Sequence, residues 1–96
     1  MATFISLVSF TDQGIRSVKE SPKRADAFKA MAKKLGVTVK EMYWTLGHYD
    51  MVVVLEGDDE AVTTALLKVG SLGNVRSETL RAFSAAEMGR VVGNIP

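Results

Sequence analysis

At 96 residues the chain has room for one domain, 1–96, around a single core, and folding at this size removes about two-thirds of the surface an extended chain would expose. It contains no cysteine, which excludes disulfides, thiolate metal sites and cysteine nucleophiles as sources of stability or chemistry. The formal net charge is only +1, but Arg16, Lys19, Lys23, Arg24, Lys29, Lys33, Lys34 and Lys40 crowd the first half; with Glu20 and Asp26 interrupting them and no aromatics interleaved, we read them as a solvated helix face and expect no nucleic-acid partner.

The opening Met-Ala-Thr-Phe-Ile-Ser has no basic leader, and no apolar run approaches membrane-spanning length, so we expect a soluble cytoplasmic protein with no membrane partner. Residues 3–10 read as a first strand, with Phe4, Val8 and Phe10 on one face and Ile5 and Leu7 on the other. A polar stretch, Thr11 to Gly14, leads to a helical turn near Ile15–Val18. Ser21-Pro22 then gives a helix start, with the serine expected as N-cap and the proline at the first helical position. Ala25, Phe28, Met31, Ala32 and Leu35 recur at three- and four-residue spacing, which makes one apolar stripe, and Gly36 ends the helix in the left-handed conformation.

Val37–Leu46 is rich in β-branched and aromatic residues and reads as a second strand. Its alternation is irregular, which leaves the faces of Tyr43 and Trp44 open. Gly47-His48 is expected to make a tight hairpin connection to a third strand, where Met51, Val52, Val53, Val54 and Leu55 are consecutive apolar residues. Such a strand needs cover on both faces. A second helix starts at the acids Asp58, Asp59 and Glu60, buries Ala61, Val62, Ala65, Leu66 and Val69, and is expected to stop at Gly70. A last strand runs from Gly73-Asn74 to Phe83, and Ser84 with Glu87 forms a capping-box pattern for a short C-terminal helix.

The order strand, helix, strand, strand, helix, strand predicts an α+β ferredoxin-like plait: a four-stranded antiparallel sheet with both helices on one face and a helical tail. Two helices cover one sheet face only, whereas the first and third strands are apolar on both. We therefore expect a homo-oligomer, in its simplest form a homodimer with sheets packed face to face.

Tyr43-Trp44-Thr45-Leu46-Gly47-His48-Tyr49-Asp50, Asp58-Asp59-Glu60 and the run Leu72 to Phe83 resemble the GYD domain family, as do Thr11 to Ile15 and Glu20-Ser21-Pro22. The resemblance covers nearly the whole chain. It implies a dimeric α+β barrel, in a family of small bacterial and archaeal proteins without an established biochemical role or catalytic residue set.

The candidate chemistry lies at His48, Tyr49 and Asp50, which supply a group titrating near neutrality, a phenol and a carboxylate. In an extended segment only His48 and Asp50 share a side. The structural alternative is that Gly47 supplies a positive φ, Asp50 accepts hydrogen bonds from turn N–H groups and Tyr49 packs at the sheet rim. As the sole histidine, His48 makes no metal site, although an imidazole can hold a haem axially; we expect no bound metal or cofactor. Tyr43 and Trp44 are candidates for a ligand cleft or for core packing. Arg76 and Arg81 have opposite parity, so one of them would be able to grip a carboxylate or phosphate in such a cleft, the alternative being an ion pair with Glu78 or Asp12. The third strand carries no aromatic able to stack on a base, which argues against RNA. Two functions follow: a non-catalytic oligomeric module holding a small, partly apolar ligand beside the sheet, which we favour, or a dimeric-barrel enzyme, cofactor-independent or haem-linked, with His48 or Asp50 as base.

Overall fold

The computed structural model describes residues 1–96. Strand β1 (Ala2–Phe10) is followed by a short helix α1 (Asp12–Arg16), a 3-10 turn over Val18–Glu20, helix α2 (Ser21–Lys34), strands β2 (Thr38–Trp44) and β3 (Met51–Gly57), helix α3 (Asp59–Ser71), strand β4 (Val75–Ala82) and helix α4 (Ala85–Gly93). The sheet order is β2-β3-β1-β4, with every neighbouring pair antiparallel. This is the expected plait. No helix is long and apolar enough to cross a membrane.

Alternation sets the two faces. Opposite one another under the helices lie Phe4, Ser6, Val8 and Phe10 of β1, Met51, Val53 and Leu55 of β3, and Val75, Ser77, Thr79 and Arg81 of β4. The core is built there, from Val8, Met51, Val53 and Leu55 of the sheet with Ala32 of α2, Val37 just before β2, and Val62 of α3. Ile5, Leu7, Val52, Val54 and Leu80 form a central apolar strip on the opposite, helix-free face. Nothing in the chain covers that strip, and Leu80 is exposed.

Three local expectations need correction. Ser21 is not the cap of α2: Glu20 takes that place without a side-chain bond, and Ser21 lies in the first turn, where its buried hydroxyl accepts from the Trp44 indole N–H at 2.9 Å. The tertiary partner takes the oxygen that local capping would have used. The link between β2 and β3 is the loop from Thr45 to Asp50 rather than a tight two-residue turn. Helix α3 passes Gly70 to end at Ser71, and the positive φ falls at Gly73 (+85°).

The irregular alternation of β2 also has its cause. The register against β3 shifts between Val39 and Glu41, so Val39 faces Leu55 on the helix side, whereas beyond the bulge Met42 and Trp44 take that side and Tyr43 turns to the bare one. The accessible surface is 6511 Å²; a compact monomer of this mass exposes about 5400 Å². Helix α4, none of whose residues is buried, is part of that open surface.

Candidate functional site

The loop after β2 is braced from both ends. Thr45 N–H donates to the Asp50 carbonyl at 2.8 Å, and the Thr45 hydroxyl donates to the Tyr49 carbonyl at 2.6 Å. Asp50 then fastens the loop to β1: its N–H donates to Val8 O at 2.7 Å, and its carboxylate accepts from Phe10 N–H at 2.8 Å. The reversal inside the loop passes through Gly47 at φ +124°, a conformation that an L side chain resists. Asp50 is thus a strand clamp, accepting from a neighbouring strand rather than from its own turn.

Tyr49 leaves the loop on the bare face, where its hydroxyl donates to Glu78 at 2.8 Å. That hydrogen bond, and after it the charge of the Glu78 carboxylate, hold the phenol above its ordinary pKa. Leu7, Ser9 and Arg76 complete a shallow depression around the pair. His48 is exposed on the loop and engages no hydrogen-bond partner. The three adjacent residues therefore diverge into a clamp, a bare-face donor and a free imidazole, and no base is held against an orienting group.

The remaining candidates also separate. Tyr43 lies on the bare face at the β2 edge, where its hydroxyl donates to Glu41 at 3.0 Å. That bond, followed by the Glu41 charge, raises the phenol pKa. Arg76 shares this face but lies on β4, the opposite edge, about 14 Å away at ordinary strand spacing. Arg81 faces the helix side beside Phe4 and stacks over the Phe83 ring, 4.4 Å from its centroid. Neither arginine makes the alternative ion pair with Glu78 or Asp12; the ion pairs are Lys23–Glu20 and Lys40–Glu56.

A cavity of about 60 Å³ lies between α2, α3 and the sheet, floored by Val8, Val53 and Leu55 and bordered by Ser6, Ser21 and Arg24. The Ser6 hydroxyl pairs with Thr79 at 3.1 Å. Arg24, at the rim, spends its donors on neutral oxygens: Ser17 O and Oγ at 3.0 Å each and Gly14 O at 3.2 Å. Sequence reasoning did not single out Ser6 or Thr79, and it gave Ser21 and Arg24 other roles, a helix cap and a solvated face. The signal for Ser6 was a hydroxyl sharing the register of Phe4 and Val8; the role of Ser21 was hidden by its good fit to a cap.

Fold and register define a ferredoxin-like α+β plait of the kind found in feast or famine regulatory proteins. The M. tuberculosis feast or famine regulatory protein complexed with L-methionine superposes with a TM-score of 0.65 at 14% identity over 88% of this chain and 52% of that one, a likeness of fold alone. TTHA0845 from Thermus thermophilus matches with a TM-score of 0.56 at 28% identity, covering 88% of this chain and 96% of its own. This chain belongs to the GYD domain family, whose profile matches residues 4–92. A Thermus thermophilus relative, 37% identical over 90 residues (92% of this chain and 95% of the relative), is named glutamine synthetase and cystathionine beta-lyase binding protein.

Proposed function

We propose that this chain is a non-catalytic cytoplasmic module, one domain acting as a homodimer through its bare sheet faces, whose task is to bind other proteins. The observation that carries the dimer is the uncovered strip of Ile5, Leu7, Val52, Val54 and Leu80, joined to a surface roughly 1100 Å² larger than a compact monomer needs. The divergence of His48, Tyr49 and Asp50 supports a binding role over acid–base catalysis, since general-base work needs a positioned partner beside the base. The relative's name supplies the class of client, metabolic enzymes.

Two measurements test this. Sedimentation at low micromolar concentration should show dimer; a folded monomer across the whole range contradicts the assembly. Biolayer interferometry against purified glutamine synthetase and cystathionine β-lyase of the same organism should show saturable binding to at least one, and silence from both at tens of micromolar removes the client assignment.

The cavity beneath α2 supports a second reading, a small and largely apolar ligand held beside the sheet. The sole tryptophan is a built-in reporter, because the Trp44 indole is bonded to Ser21 on the cavity wall. Saturable change in Trp44 emission on titration with short-chain fatty acids supports this reading, and an unchanged spectrum counts against it.

A further inference from the structure

Helix α4 presents Met88, Val91, Val92 and, just beyond its end, Ile95, at i, i+3, i+4 and i+7 spacing, all 43 to 69% exposed. It is well formed at its start: Ser84 Oγ accepts from Glu87 N–H at 3.1 Å, and Glu87 accepts from Ser84 N–H at 2.8 Å. Yet no strand or other helix of the chain packs along it, and the molecule measures 52 Å on its long axis against 31 and 18 Å on the others. A nine-residue helix is too short to hold itself together in water on hydrogen bonds alone. It needs a surface to lie on.

We propose that α4 is an arm that packs its Met88–Val91–Val92–Ile95 face onto a second copy of this chain. The inference rests on the sheet-face dimer proposed above and extends it. Four strands of seven to nine residues at ordinary spacing give the bare sheet a flat footprint of roughly 500 Å², while one partner of a stable interface of standard size contributes roughly 800 Å² of accessible surface. The exposed face of α4 adds apolar surface to that sheet. Only two residues, Phe83 and Ser84, separate the helix from β4, an edge strand of the same sheet, so arm and sheet face are continuous surfaces of one chain. Under two-fold symmetry each copy gives an arm and receives one, which uses both surplus surfaces at once. A foreign protein seated on α4 alone would leave the sheet strip bare.

The test uses the full chain. In dimers mixed from isotope-labelled and unlabelled copies, filtered nuclear Overhauser spectra should connect the methyls of Met88, Val91 and Val92 to protons of the other copy. The double variant Val91→Glu/Val92→Glu should keep the β-sheet circular dichroism of the wild type and raise the dimer dissociation constant at least tenfold. If the wild type sediments only as monomer, the sheet-face dimer falls and the arm with it. If the wild type is dimeric, the variant dimerises within threefold of it and inter-copy contacts at α4 are missing, the arm is wrong and the dimer stands. A variant that dimerises normally but no longer binds purified glutamine synthetase also overturns the proposal, giving α4 to a foreign partner.

Discussion

The two faces of β3 are a controlled comparison within one strand. Val53 is 5% exposed beneath the helices, whereas Val52 and Val54, the same residue type one position away on either side, are only half-buried. Chemistry does not distinguish them; parity does. The lesson is that this chain carries cover for one face and leaves the other to be covered from outside, so damage to one face is folding damage and damage to the other is assembly damage.

The sharpest way to break that symmetry is Val53→Asp. An unpaired charge among Leu55, Val8 and Val62 costs at least about 4 kcal/mol, enough to abolish the cooperative thermal transition. Val54→Asp, on the bare face, is expected to leave circular dichroism native while sedimentation shifts to monomer; unfolding of both variants alike would erase the distinction. Smaller is Asp50→Ala, which orphans the Phe10 N–H and should lower stability by about 1–3 kcal/mol in urea melts, with dimerisation retained.

The smallest effect concerns Glu87. Its hydrogen bonds to the Ser84 backbone and hydroxyl hold its carboxyl below the usual glutamate range. Because the folded pKa is depressed, the cap's contribution is complete above the unfolded glutamate pKa and is lost as pH falls through the folded one. Helical signal from α4 should therefore fade on acidification through that window, and Glu87→Ala should lose the pH dependence along with the signal. A retained acid transition in the alanine variant would assign it elsewhere.

How much was legible in the sequence follows from which interactions are local. The helix stripes, the Ser84–Glu87 box and the left-handed Gly36, at φ +84°, depend on neighbours within a few residues, and the structure has them as read except at Leu35, which caps α2 and is exposed. The plait follows from element order and crossover handedness, and the bare apolar face from two strands with apolar residues on both sides. The distribution of the candidate site residues follows no such local rule. Whether Tyr43 faces helices or the bare side depended on a register shift against β3, and the roles of Asp50 and Ser21 on Phe10 and Trp44, 40 and 23 residues distant in the chain. Periodicity states which residues share a face; only packing decides which distant group arrives there, because a hydrogen bond between strands needs a register that no single segment encodes.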